Sequence, residues 1–149
     1  MYRRAVLLIV VVLLLSLVVP VTAFGLTRYK VTNMNGSKVG YVEGKRVFNR
    51  LRVKKGHLVG QGGLLYGVYT ARNHRVAFVD AGTYPLKMYR CTDTSLVKSP
   101  KYRVGTIIAS GPNWLLYKKV NGMWYQRGIM FGGRSTRAAA ALRLLLWAN

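Results

Sequence analysis

One phrase recurs along this chain and limits its fold more than any other feature. Lys38-Val39-Gly40-Tyr41-Val42-Glu43-Gly44 aligns with Arg75-Val76-Ala77-Phe78-Val79-Asp80-Ala81 and with Arg103-Val104-Gly105-Thr106-Ile107-Ile108-Ala109, and a weaker copy begins at Leu58-Val59-Gly60. Self-similarity of this kind means a repeated supersecondary unit. A small residue returns to one slot, at Gly40, Gly60, Ala77 and Gly105, which predicts close approach to the backbone on one face of the strands.

Turn chemistry says that the unit is a hairpin. Asn35-Gly36 and Asn121-Gly122 are two-residue hairpin signals, and Glu43-Gly44, Lys55-Gly56, Gly62-Gly63, Arg72-Asn73, Asp80 to Gly82 and Ser110 to Asn113 divide the remainder. The Val- and Tyr-rich runs between them have strand length, as in 64–70, 84–91, 102–109 and 114–120. About nine or ten antiparallel strands in sequence follow, an all-β meander over residues 24–133. If open, such a meander leaves edge strands that invite self-association. Residues 134–149 read as a helix, capped by Ser135 or Thr136, with one apolar face along Ala138, Ala141, Leu142 and Leu145 that Leu144 and Leu146 extend. It is too short to span a bilayer and is expected to pack on the sheet.

The Lys/Arg-Val-Gly phrase, the Gly-punctuated meander and the Ala- and Leu-rich tail, together covering about residues 36–147, resemble the bacterial five-fold β-flower repeat proteins. The resemblance implies successive hairpins around a pseudo-symmetry axis, with the small-residue column close to it. It brings no catalytic residues and no activity.

The first 23 residues read as a targeting segment. Arg3 and Arg4 precede an apolar run from Ala5 to Val19, Pro20 breaks it, and Val21-Thr22-Ala23 has the small-x-small ending of a cleavage site before Phe24. An uncleaved anchor is the alternative, because Ala5 to Leu26 carries no charge and is long enough to cross a membrane. Either reading makes this an exported, secreted or envelope protein, although Arg28, Lys30 and Lys38 behind the segment would bias an anchored form to the opposite orientation. Cys91 has no intrachain partner and lies far from any lipobox position, so it reads as a small apolar residue at a strand end.

Charge narrows the function. With 24 Lys and Arg against 3 acids, the formal net charge is +21. Glu43, Asp80 and Asp93 are too few and too scattered for paired-carboxylate, two-metal or calcium chemistry. Glu43 and Asp80 share a slot before a glycine and read as turn residues, with an ion pair as the alternative. His57 and His74 stand two residues before Val59 and Val76, so both read as solvent-facing strand starts rather than an acid–base pair. Gly128 to Ser135 resembles a phosphate-binding loop between strand and helix, but Arg134 replaces its lysine, and a glycine hinge is the simpler reading. No cofactor, metal or catalytic site is expected.

The basic surface carries the remaining signal. From Arg28 to Lys55 there are nine basic residues against Glu43, interleaved with Tyr29, Tyr41 and Phe48. Charge of one sign at that density attracts polyanions. The expected site is Lys45, Arg46, Arg50, Arg52, Lys54 and Lys55, with Tyr41 and Phe48 as apolar contributors. Expected partners are anionic envelope polymers or lipid headgroups, with nucleic acid as the alternative, its bases stacked on the aromatic rings.

Overall fold

The computed structural model describes residues 26–91 and 97–146. The targeting or anchor segment, Asp93 and Trp147 lie outside the described residues. Ten strands follow in order: β1 (Arg28–Asn33), β2 (Lys38–Glu43), β3 (Arg46–Asn49), β4 (Lys54–Gly62), β5 (Leu65–Thr70), β6 (Arg75–Asp80), β7 (Leu86–Arg90), β8 (Arg103–Ser110), β9 (Asn113–Val120) and β10 (Met123–Met130). A 3₁₀ turn, Pro100–Tyr102, precedes β8, and helix α1 (Ser135–Leu146) follows β10.

Each strand pairs antiparallel with its sequence neighbour, and β1 pairs with β10 through Val31 opposite Met130 and Asn33 opposite Gly128. The meander therefore closes into a barrel, without the edge strands that an open one would leave.

The two ends of the barrel use different turns. Where β2 meets β3, β4 meets β5 and β8 meets β9, two residues suffice, and the first is Gly44, Gly63 or Gly111 with φ near +60°. At the other end, three turns share a longer design. Asn33, Asn49 and Thr70 each accept, through a side-chain oxygen, the N–H four residues on, from Ser37, Val53 and His74. The residue before that donor is left-handed in each turn: Gly36, Arg52 and Asn73. Asn35-Gly36 consequently lies inside this longer turn rather than forming a two-residue hairpin, whereas Asn121-Gly122 does form one, between paired Val120 and Met123.

Ten strands enclose more space than their own side chains fill. Helix α1 occupies that space. It touches β3 and β8, which stand diametrically opposite in the closed order, and also β2, β4, β7, β9 and β10. Ala138, Ala139, Ala140, Ala141 and Leu142 are fully or almost fully buried. The helix thus packs on the inner face of a sheet wrapped around it, with sheet on all sides rather than one.

Glycines make the fit possible. A Cβ at Gly105 would come within 2.5 Å of Leu142, one at Gly40 within 2.6 Å of Leu144 and one at Gly128 within 2.8 Å of Leu145. At Gly56 it would overlap the Tyr69 carbonyl oxygen and lie 3.4 Å from Arg143 Cγ. Four successive helix residues are thereby seated on glycines of β8, β4, β2 and β10. Ala77 on β6 is fully buried in the same core, so every even-numbered strand carries one small inward residue. Gly60 is not one of them: it is exposed, and a Cβ there would meet open space. The second copy of the phrase is Lys54-Lys55-Gly56-His57-Leu58, four residues before the copy suggested by the sequence.

The helix is secured at both ends. Gly132 and Gly133, with φ of 75° and 81°, turn the chain inward against the Tyr29 ring. Trp114 Nε1 donates to the Gly133 carbonyl at 3.0 Å, and Asn113 Oδ1 accepts from Gly132 N at 3.2 Å. Arg134, rather than Ser135 or Thr136, takes the cap position, its carbonyl accepting from Arg137 and Ala138. Inside the far end, Lys118 Nζ donates to the Leu146 carbonyl at 3.3 Å, a cation where the helix dipole is negative. Among the described residues no helix is long and apolar enough to cross a membrane.

Candidate polyanion-binding site

With the lumen filled, the chemistry of the outer surface decides what the barrel can bind. Strand alternation turns Arg28, Lys30, Tyr41, Arg46 and Phe48 outward, opposite the inward Val31, Val42 and Val47. Register then aligns them across strands: Lys30 lies opposite Tyr41, Tyr41 opposite Phe48, and Phe48 opposite Lys54. Tyr41 and Phe48 stack with centroids 5.0 Å apart and planes 12° apart. His57 with Tyr69 and Phe78 with Tyr89 repeat this cross-strand stack on the next two hairpins.

A cleft of about 150 Å³ opens over the β1–β3 face, lined by Arg28, Lys30, Lys38, Tyr41, Arg50 and Arg52. The Asn49 turn supplies Arg50 and Arg52, because Asn49 Oδ1 holds both Leu51 N and Val53 N at about 3 Å. Tyr41 forms the floor. It is only 6% exposed, with the Arg28 guanidinium 5.1 Å and the Lys38 ammonium 5.5 Å from its ring centre. Cations over a ring face are held by its quadrupole, so the tyrosine positions charge. Glu43 binds Arg28 Nε at 2.7 Å, and this hydrogen bond raises the Arg28 pKa above its ordinary value. Among the described residues the only other ion pair is Lys98 with Asp80, far around the barrel. Lys30, Lys38, Arg50 and Arg52 therefore face one small volume without a carboxylate paired to them.

The expected site residues separate. Arg50, Arg52 and Tyr41 line the cleft, and Phe48 and Lys54 continue its row along the sheet. Arg46 lies in the next row, between Glu43 and His57. Lys55 lines instead a cavity of about 340 Å³ at the barrel mouth, against Leu144 and Leu145. Lys45 sits at the opposite end, 5.8 Å from the Tyr66 ring centre. The Tyr41 ring is engaged with Phe48 and with two cations, so Tyr41 is no open platform for a ligand. Arg28, Lys30 and Lys38 belong to the basic run but not to the site expected from sequence; antiparallel pairing of 28–33 with 38–43 is the signal that joins them to it.

The other singled-out residues have local roles. Asp80 makes the expected turn, its Oδ1 accepting from Gly82 N at 3.0 Å, and it also binds Lys98 at 2.7 Å. For Glu43 the ion pair is the contact formed. His57 lies within β4, half-buried, rather than at a strand start, and His74 is exposed in the turn before β6. Burial first, then Lys54 and Arg46, lower the His57 pKa. Burial raises the Cys91 pKa, against the opposing pull of Arg75. Among the described residues no group of three or more His, Cys, Asp or Glu could hold a metal ion. Comparison with protein-family models, with curated proteins and with solved structures returned no match.

Proposed function

We propose that this protein is an exported, non-enzymatic β-repeat module that binds anionic polymers or surfaces of the cell envelope. The observation that carries the reading is the cleft over Tyr41, where Lys30, Lys38, Arg50 and Arg52 converge without paired carboxylates. Phosphate or sulfate groups along a polymer would neutralise these cations and release counterions, so affinity should fall steeply with salt.

Full-length protein in mild detergent, eluted from immobilised heparin by a salt gradient, tests this. Replacing Lys30, Arg50 and Arg52 by glutamine should shift elution to clearly lower salt than replacing Lys87, Arg90 and Lys101, which removes the same charge elsewhere. Equal shifts would reduce the interaction to net charge and remove the site. Nucleic acid is a second reading, and one observation favours it: Trp124, 37% exposed, lies between Arg103 at 4.8 Å and Lys119 at 5.8 Å beside exposed Tyr125. Stacking there predicts that Trp124→Ala weakens single-stranded DNA binding at high salt while leaving heparin elution unchanged.

A further inference from the structure

The two ends of the barrel differ in charge. Glu43 and Asp80 close β2 and β6 at the end where α1 enters, so among the described residues the distal end has no acid; Asp93, in the β7–β8 loop, lies outside them. Large apolar side chains are exposed at both ends, Leu64 (58%) and Tyr84 (65%) where α1 enters and three more at the distal end. Met34 is 55% exposed in the β1–β2 turn, Leu51 73% in the β3–β4 turn and Met123 62% beside the β9–β10 turn. In the closed order these are three successive turns around the rim. Lys38, Arg50 and Arg52, which line the cleft, belong to two of these turns or to the strand end beside them.

We propose that this arc is a bilayer-docking face, with Met34, Leu51 and Met123 entering the interface of a membrane whose anionic headgroups are held by Lys38, Arg50 and Arg52. The inference rests on the polyanion reading and selects a lipid surface as its object. A soluble polymer uses the cations alone and leaves three exposed apolar tips unexplained. A membrane uses both, since apolar burial and headgroup attraction add at the interface. Leu51 stands between Arg50 and Arg52, so that turn presents both kinds of contact together.

The test reads depth at single positions, so insertion of the N-terminal apolar segment does not obscure it. Full-length protein with Cys91→Ser carries an environment-sensitive fluorophore on Leu51→Cys, on Met123→Cys or, at the opposite end, on Leu64→Cys. It is mixed with vesicles of phosphatidylcholine, or of equal parts phosphatidylcholine and phosphatidylglycerol. Expected is a blue shift with a severalfold rise in emission at positions 51 and 123 on the anionic vesicles only, with position 64 as in water. Adding Arg50→Gln and Arg52→Gln should weaken that response by about tenfold or more. Labels at 51 and 123 that stay as in water, that respond alike on both vesicles, that match position 64, or that shift with protein concentration alone would each overturn the proposal. Heparin elution of the same proteins tells the two readings apart: retention through the cleft with unresponsive tips defeats the docking face alone, and loss of cleft-specific retention defeats the polyanion site beneath it.

Discussion

Arg52 shows how function and conformation compete at a single residue. It takes the left-handed position of its turn, with φ of 64°, where the equivalent residues are Gly36 and Asn73. A side chain there costs about 1 kcal/mol that glycine avoids. Arg52→Gly should therefore raise stability by up to about that amount in urea unfolding, while lowering the salt at which the protein leaves heparin. A variant that is less stable, or that is retained as before, would show that the arginine is held for other reasons. The basic run was legible in the sequence because charge is a property of composition. Which of its members share one cleft was not, since Arg28 and Arg52 meet only through strand register and the geometry of a turn built on Asn49.

Among the elements, α1 was legible in extent and only half legible in environment. Ala138, Ala141, Leu142 and Leu145, extended by Leu144 and Leu146, suggest one apolar face, yet Ala139 and Ala140 carry the apolar surface further round, the mark of an element enclosed rather than laid on a surface. Arg143 hides that signal. It is 8% exposed with its stem over Gly56, and burial lowers its pKa. The small-residue slot is a place of close approach at Gly40 and Gly105, and at Ala77 it is buried in the core. Gly60 was included in error because the valine that follows Leu58 imitates the phrase. Gly105→Val tests the seat: its side chain would meet Leu142, and the overpacking should cost about 1–3 kcal/mol by chemical denaturation. The same change at Gly60 should cost far less, and equal losses at both would mean that the helix does not rely on the seat.

At the scale of the whole molecule, hairpin order was readable from turn residues, but closure was not. Of the strand pairings, only that of β1 with β10 joins distant parts of the chain, and no local pattern announces it. Few acids also give the molecule an unusual response to pH. Burial, then Lys54 and Arg46, lower the His57 pKa below its ordinary value. The unfolded chain takes up the imidazole proton more readily, so stability is complete above about pH 6.5 and declines as pH falls below it. Asp80, its pKa lowered by Lys98, stabilises the fold above about pH 4 and loses that contribution as pH falls through its folded value. Urea midpoints across pH should show two separated declines, and His57→Gln should abolish the upper one alone. An upper decline that survives the substitution would assign it to another group.

The glycine seats have one more consequence. Helix α1 reaches the lumen through Gly132 and Gly133, and its four residues from Leu142 to Leu145 each meet their own strand. In binding terms the barrel is a receptor whose ligand is carried on the same chain. The two-glycine tether sets a high effective concentration, and the seats recognise one helical register. The helix, and not strand pairing alone, then makes the interior of the ten strands a solid core.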